Sequence, residues 1–226
     1  MQQRDVPINI LRLLDVVEDD VYIYLVLELV DGGDFFAFIH AQHQAMESGT
    51  VDISQQKQWE KRMRRVFYQI GTAIKWLHCH NVCHLDLSLE NALIDHQDTL
   101  KIIDFGLARY FGNGQFAMAP KRVGKPRCMS PEVFMVRPFD ARCADSWSVG
   151  IMLFMMLLGI PPWNVPSESE TIYRMVRAGR IRDVIVYNNK TAMMSKDALD
   201  LLIRFLKPQG ERIYFDQVLQ HPFCSF

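Results

Sequence analysis

The sequence feature that most constrains the fold is an ordered series of polar residues between positions 84 and 106. His84-Leu85-Asp86 is followed by Asn91, and a strand-like run then ends at Asp104-Phe105-Gly106. A carboxylate in a loop before a strand can accept a proton from a hydroxyl nucleophile. An amide oxygen and a second carboxylate suit Mg²⁺ beside phosphate oxygens. Asp86 is therefore a candidate general base, and Asn91 with Asp104 is a candidate metal site.

Secondary-structure patterns place this series in a mostly helical chain that begins with a little β-structure. Residues 10–30 contain two β-favouring runs around an acidic turn, which predicts a hairpin. Apolar residues three or four apart predict an amphipathic helix over residues 59–77. Residues 40–58 are polar and are predicted to form a surface loop, and residues 105–129 lack a steady period and predict a long loop. The expected fold class is α+β.

Composition excludes several classes of partner and location. The 25 basic and 26 acidic residues give a net charge of −1, so no field attracts nucleic acid. The longest apolar stretch, residues 149–160, is too short to span a bilayer and predicts a buried core helix. Five irregularly spaced cysteines indicate a reducing compartment rather than a disulfide framework. We expect an intracellular protein in the cytoplasm, with the nucleus as the alternative, that binds no nucleic acid and has no membrane span.

The spacing of Asp86, Asn91 and Asp104-Phe105-Gly106 strongly resembles the protein kinases. Further matches follow in the family's order: Ser130-Pro131-Glu132, Asp145-Ser146-Trp147-Ser148-Val149-Gly150, Pro161-Pro162-Trp163, Arg212 and His221-Pro222-Phe223. The resemblance implies that Asp145 braces the backbone of the catalytic loop and that Arg212 pairs with Glu132. It also implies a kinase-like fold in which residues 31–226 form the mostly helical C-lobe.

Residues 25–34, with the sequence LVLELVDGGD, resemble the kinase hinge. By this resemblance Leu27 is the gatekeeper, and the backbones of Glu28 and Val30 hydrogen-bond adenine. Asp34 is expected to contact the ribose, and Leu93 to form the floor of the adenine pocket. The residues that the resemblance assigns to ATP are Leu27, Glu28, Val30, Asp34, Glu90, Leu93 and Ile103.

The resemblance implies a serine/threonine kinase that transfers the γ-phosphate of Mg-ATP to a hydroxyl of a protein substrate. Asp86 is the expected catalytic base, with Asn91 and Asp104 as the residues that hold Mg²⁺. Two alternatives remain: a pseudokinase that acts as a scaffold or allosteric partner, and a small-molecule phosphotransferase of related fold. Of these, the small-molecule phosphotransferase is the least compatible with Ser130-Pro131-Glu132 and with the motif from Asp145 to Gly150.

The sequence before the hinge contains no Gly-rich G-x-G-x-x-G loop, no V-A-I-K lysine and no αC glutamate. In kinases the Lys–Glu pair must be in place for activity, so the chain as written is expected to be a poor catalyst. A two-stranded sheet alone is also marginal in water. We therefore expect residues 1–226 to be an N-terminally incomplete kinase domain, with residues 1–30 as a remnant of the N-lobe and the hinge. Either an upstream segment or a partner would complete that lobe, and we favour the upstream segment.

Three positions depart from the family pattern. Leu85 stands where most kinases have an Arg that grips an activation-loop phosphate, and residues 105–129 contain no Ser or Thr. We hypothesise that activity does not depend on Ser/Thr phosphorylation of this segment. Ser88 stands where Ser/Thr kinases keep a Lys that steadies the γ-phosphate, and Lys125 stands where they usually keep a Thr. These departures leave the rate and the hydroxyl specificity open.

Two further clusters each allow two interpretations. The activation segment, residues 105–129, is basic and has no acidic residue, which indicates either a solvated loop or a preference for acidic substrates or regulators. Its basic residues are Arg109, Lys121, Arg122, Lys125 and Arg127. The cluster His78-Cys79-His80, Cys83 and His84 fits no common zinc spacing, so structural roles are favoured.

Overall fold

The computed structural model describes residues 6–48, 53–187 and 194–225. Within these ranges the strands are β1 Leu13–Glu18, β2 Ile23–Leu27, β3 Val82–Cys83, β4 Ala92–Ile94, β5 Leu100–Ile102, β6 Arg109–Tyr110, β7 Ala117–Met118 and β8 Phe139–Asp140. The helices are α1 Phe35–Glu47, α2 Ile53–Cys79, α3 Pro131–Phe134, α4 Ala141–Leu158, α5 Thr171–Arg177, α6 Ile181–Tyr187, α7 Lys196–Phe205 and α8 Phe215–Val218. The strands pair as four antiparallel two-stranded sheets, β1–β2, β3–β6, β4–β5 and β7–β8. The predicted α+β class is confirmed.

The predicted hairpin forms from β1 and β2. Its turn is fixed by the Asp19 carboxylate, which accepts hydrogen bonds from the backbone N–H groups of Val21 and Tyr22 at 2.8 and 2.7 Å. The side chains of both strands are exposed, including those of Leu14 at 55% and Leu25 at 61%. The hairpin therefore buries neither of its apolar faces within the described residues.

The predicted surface loop over residues 40–58 is wrong, because α1 continues to Glu47 and α2 begins at Ile53. Helix α1 is capped by Asp34, whose carboxylate accepts a hydrogen bond from the Ala37 N–H at 2.7 Å. Its buried residues are Phe35, Ile39 and His43, which recur every four residues. Phe36, Phe38 and Met46 also pack against the core, but the polar residues interspersed from His40 to Glu47 hide the helical period over this part of the sequence.

Helix α4 forms the centre of the core together with α2. It is buried along almost its whole length, and the indole N–H of Trp59 in α2 donates to the Met156 carbonyl at 3.0 Å. Gly159 ends the helix at a φ of +76°, where a Cβ would lie 2.3 Å from the His43 ring. Glycine is required there by both the conformation and the space.

Within the described ranges, Ala141–Leu158 is long and apolar enough to cross a membrane by length and composition. However, 89% of its residues are buried inside the protein. The predicted assignment to a buried core helix is therefore confirmed.

The segment before the hairpin is anchored to the helical core. The Asn9 amide nitrogen donates to the Gln69 side chain at 2.7 Å and to the Leu100 carbonyl at 2.8 Å. Ile10 forms a parallel bridge with Ile102 in β5 and is 6% exposed. The hairpin consequently rises from a fixed base beside the strand that leads to Asp104.

Candidate active site

The loop after β3 is held in shape by Asp145 of α4. This carboxylate is 1% exposed and accepts hydrogen bonds from the N–H groups of His84 and Leu85 at 2.9 and 2.8 Å. The His78 ring nitrogen Nε2 lies 2.9 Å from the same carboxylate. Three partners hold the buried carboxylate, and it in turn fixes a backbone in which Leu85 has a φ of +65°. Asp145 thus contacts the catalytic-loop backbone where the resemblance placed it.

His84 connects this loop to the end of β5. Its fully buried ring lies between the Ile103 carbonyl, 2.9 Å from Nε2, and the Asp86 N–H, 3.3 Å from Nδ1. Because Nδ1 accepts from the backbone, Nε2 carries the proton and donates to Ile103. The Ile103 N–H also donates to the Asn91 carbonyl at 3.0 Å. The residue before Asp104 is therefore tied to both Asn91 and the loop that carries Asp86.

The structure brings the side chains of Asp86 and Asn91 into contact. The Asn91 side-chain nitrogen donates to Asp86 Oδ2 at 2.9 Å and to the Asp86 carbonyl at 2.8 Å. The other carboxylate oxygen of Asp86 accepts from the backbone N–H of Lys125 at 2.9 Å. The Asp86 side chain is only 13% exposed, so these bonds fix its orientation. They also turn the amide oxygen of Asn91 away from Asp86.

Asp104 is exposed and follows β5 with a φ of +61°, in the left-handed region. Its Oδ1 accepts a hydrogen bond from the Gly106 N–H at 3.2 Å. The donor types of this region, an amide oxygen on Asn91 and a carboxylate on Asp104, fit a hard divalent cation. The Asn91 amide oxygen accepts a hydrogen bond from the ammonium group of Lys125 at 2.7 Å.

The hinge is fixed to β5 by a pair of charges. The ammonium group of Lys101, a residue 7% exposed, donates to Glu28 at 2.9 Å and to the Ile8 carbonyl at 2.8 Å. Burial acts to raise the pKa of the Glu28 carboxyl, but hydrogen bonds and charges from Lys101 and Arg12 outweigh it and lower that pKa. Sequence reasoning missed this pair, although a lysine within the apolar run of β5 was a signal, because a buried lysine needs a partner.

The remaining hinge residues lie at two levels of burial. Leu27 ends β2 with 46% of its surface exposed, while Val30 is half-buried. Asp34 forms an antiparallel bridge with Leu93 of β4, so the structure brings these two predicted ATP residues together. Glu90 is half-buried, and its buried Oε2 has no hydrogen-bond partner among the described residues.

A possible metal cluster beneath the loop has a structural explanation. Ligand atoms of His78, Cys83 and Asp145 lie within 4.8 Å of one another. Asp145 already accepts from two backbone N–H groups and contacts His78. Burial raises the pKa of the Cys83 thiol, which favours the protonated form that does not ligate metal. The arrangement supports the structural interpretation of these residues.

The activation segment packs on the loop through an apolar cluster. Leu85 is 6% exposed and belongs to a cluster with Cys83, Phe116, Met129 and Val133. Where most kinases have a charged Arg, this protein has Leu85, and the activation segment is held against the loop by apolar contact. Farther along the chain, Arg212 donates to Glu132 at 2.6 Å with its side chain fully buried, which is the predicted ion pair.

Comparisons with known proteins agree with this geometry. The family model described as protein kinase domain matches residues 1–224. Calcium-dependent protein kinase 3 of Plasmodium berghei is 34% identical over 98% of this chain, which spans 37% of that protein's length. Serine/threonine-protein kinase PLK4 of Nematostella vectensis is 32% identical over 96% of this chain and 20% of that protein. The probable serine/threonine-protein kinase HSL1 of Saccharomyces cerevisiae is 32% identical over 95% of this chain and 13% of that protein. The chain therefore belongs to the protein kinase family and is a protein kinase domain of the serine/threonine type.

Proposed function

We propose that the protein transfers the γ-phosphate of Mg-ATP to a serine or threonine hydroxyl of a protein substrate, with Asp86 as the catalytic base. The observation that carries this proposal is the fixed orientation of Asp86. Its two carboxylate oxygens accept from Asn91 and from the Lys125 N–H, at 2.9 Å each. A carboxylate held in this way orients an attacking hydroxyl and accepts its proton without reorganising.

Asn91 and Asp104 are the proposed magnesium ligands. Mg-ATP would supply the phosphoryl group, and the cation would neutralise charge on the phosphates. Asn91 offers its amide oxygen, because its amide nitrogen is used on Asp86. Asp104 offers an exposed carboxylate two residues after the end of β5. The bond from Ile103 to the Asn91 carbonyl keeps the two ligand positions in a fixed relation.

The proposed nucleotide site is the face between the hinge and β4. Its residues would be Leu27, Glu28, Val30, Asp34, Glu90, Leu93 and Ile103. The bridge between Asp34 and Leu93 and the ion pair between Glu28 and Lys101 support this assignment, because they fix the hinge against the β4–β5 sheet. Only the backbone of Glu28 is proposed to contact adenine, since its carboxylate is occupied by Lys101 and Arg12.

We further propose that residues beyond those described cover the β1–β2 hairpin and complete an N-lobe above the C-lobe formed by residues 31–226. Both faces of the hairpin carry exposed apolar side chains, which two strands cannot stabilise in water. The cover would be an upstream segment that supplies the phosphate-binding lysine, or a partner in its place. The intact mass and N-terminal sequence of the protein from its own source test this point. A species of 26.3 kDa that starts at Met1 would exclude the upstream segment.

The test of the function compares full-length wild-type protein with Asp86→Asn and with Asp183→Asn, a surface control paired with Arg180. Loss of a general base is expected to lower phosphate transfer to a protein substrate by about 10²–10⁴-fold in Asp86→Asn. Asp183→Asn is expected to match the wild type. Nucleotide binding without Asp86-dependent transfer would favour the pseudokinase, and transfer to small molecules alone would favour the other phosphotransferase.

A further inference from the structure

A lysine from the activation segment lies inside the proposed catalytic centre. The ammonium group of Lys125 donates to Asn91 Oδ1 at 2.7 Å and to the Ser88 hydroxyl at 3.0 Å. It also lies 3.7 Å from Asp86 Oδ2. Among the ion pairs within the described ranges, Lys125 is the one basic side chain paired with Asp86. One cation thus contacts three polar residues of the loop, Asp86, Ser88 and Asn91.

The backbone around Lys125 fixes the position of this ammonium group. Gly124 has a φ of +87°, and a Cβ there would lie 2.6 Å from the Leu85 carbonyl oxygen. Only glycine permits this close approach of the segment to the loop. Immediately after it, the Lys125 N–H donates to Asp86 and the Lys125 carbonyl accepts from Cys128 at 2.9 Å. The lysine therefore enters the centre from a rigid turn.

Ser88 cannot supply positive charge, but it can position the lysine. Its side chain is fully buried, and its oxygen accepts from the Asn91 N–H at 3.3 Å as well as from Lys125. An ammonium group has three donors, and two of them are used on Ser88 and Asn91. The Lys125 side chain remains 34% exposed, and the third donor of its ammonium group is the one that we assign to a phosphate.

Phosphoryl transfer depends mainly on positioning and on positive charge beside the transferred group. We propose that Lys125 is a catalytic residue that supplies this charge from the activation segment, with Ser88 as its positioning residue. Relative to the family pattern, the lysine and the hydroxyl have exchanged positions across the same contact. The inference rests on the proposed kinase function. In this proposal Lys125 contacts the γ-phosphate of ATP, and its hydrogen bond to Asn91 is the contact that it makes when no nucleotide is bound.

The first experiment is a reciprocal exchange in the full-length protein. Lys125→Met is expected to lower kcat by about 10²-fold, as for the loss of one preorganised charge donor, with a smaller effect on the KM for ATP. Lys125→Ser should behave in the same way. The double variant Ser88→Lys/Lys125→Ser places the ammonium group at position 88 instead. Its kcat is expected to be at least about tenfold higher than that of Lys125→Ser. Lys75→Met, a surface lysine paired with Asp216, is the control.

A second experiment does not depend on turnover or on the folding of Ser88→Lys. ATP carrying an acyl group on its γ-phosphate is added to wild-type protein, and labelled peptides are identified by mass spectrometry. A nearby lysine nitrogen attacks the acyl carbon, the acyl–oxygen bond breaks, and an amide forms as ATP leaves. Labelling is expected at Lys125 and is expected to disappear with excess Mg-ATP. Absence of label at Lys125, or label that Mg-ATP does not block, overturns the proposal.

The outcomes separate this inference from the function on which it rests. If the wild type transfers phosphate and Asp86→Asn does not, the function stands. Equal kcat in Lys125→Met and wild type would then overturn the role of Lys125 alone. A higher kcat in Lys125→Met would also overturn it, because the lysine would then act as a block on Asn91. If the wild type neither binds nucleotide nor transfers phosphate, the function itself fails.

Discussion

The β1–β2 hairpin and the catalytic loop show two opposite relations between sequence and surroundings. Every side chain of the two hairpin strands is exposed, although most are apolar. The catalytic loop is rich in polar groups, yet His84, Ser88 and Asn91 are all buried with hydrogen-bond partners. The side chains of His84, Ser88 and Asn91 thus find partners within the described residues, while the apolar side chains of the hairpin face solvent there. The described contacts therefore hold the loop in shape, whereas the exposed hairpin is the observation on which the proposed cover rests.

Removing the Asp145 carboxylate, which holds the backbone of the catalytic loop, is expected to destabilise the protein most. Asp145→Ala leaves the N–H groups of His84 and Leu85 buried without an acceptor, and we expect it to lower the free energy of unfolding by about 3–5 kcal/mol. Chemical denaturation of the full-length protein measures this change. Asp183→Ala, at a surface ion pair, is the control and should change stability by less than about 0.5 kcal/mol. Equal losses of unfolding free energy in the two variants would mean that Asp145 does not hold the loop in shape.

The next effect concerns the packing of the activation segment on the loop. Leu85→Ala removes a buried side chain from the cluster with Phe116 and Met129 and is expected to cost about 2–4 kcal/mol. Leu107→Ala, at a site 39% exposed, is the matched control and should cost much less. Thermal unfolding monitors both. The same cluster predicts an ordered segment without phosphate, so a stoichiometric, activity-controlling phosphate on Tyr110 would contradict it.

A smaller effect tests whether the hairpin is covered. Leu25 is 61% exposed in the structure, and Leu25→Ala would change stability by less than about 0.5 kcal/mol if it stays so. In the full-length protein we expect a loss of about 2 kcal/mol, because a cover buries this side chain. Val186→Ala in α6, 57% exposed, should remain near zero in the same denaturation experiment. If Leu25→Ala does not change stability, the hairpin is not covered in the full-length protein.

The smallest effect concerns the joint between the two regions. The pKa of the Glu28 carboxyl is lowered in the folded protein, so its stabilising contribution is present above its ordinary value of about 4.5 and is lost as the pH falls through the folded value. Glu28→Gln should lower stability by about 1–2 kcal/mol at pH 7 and flatten the acid limb of the stability curve. Denaturation at pH 7 and pH 4 measures both changes. An unchanged acid limb would show that the Lys101 pair does not couple to folding.

The parts of the site that the sequence predicts are those held by short spacing or by the family resemblance. Asp86 and Asn91 are five residues apart in one loop, and their contact follows from that spacing. The ion pair between Glu132 and Arg212 spans 80 residues, and only the resemblance predicted it.

The parts that the sequence did not predict depend on the path of a long segment or on a mixed surface. The bond from Lys125 to Asn91 spans 34 residues and requires the turn at Gly124, which no period in residues 105–129 indicates. The pair of Lys101 and Glu28 spans 73 residues and forms only when the hinge lies against β5. Helix α1 was missed because polar residues are interspersed from His40 to Glu47, the part that suggested a loop.

The proposed function requires the buried polar loop to perform phosphoryl transfer to protein hydroxyl groups. The most direct measurement is the initial rate of transfer from γ-labelled Mg-ATP by the full-length protein to peptide mixtures that offer serine, threonine or tyrosine. The Asp86→Asn rate is subtracted in each case. We predict Asp86-dependent transfer to serine and threonine peptides and at least about tenfold less to tyrosine peptides. Equal rates for wild type and Asp86→Asn in all three mixtures would mean that Asp86 is not the catalytic base of a protein kinase.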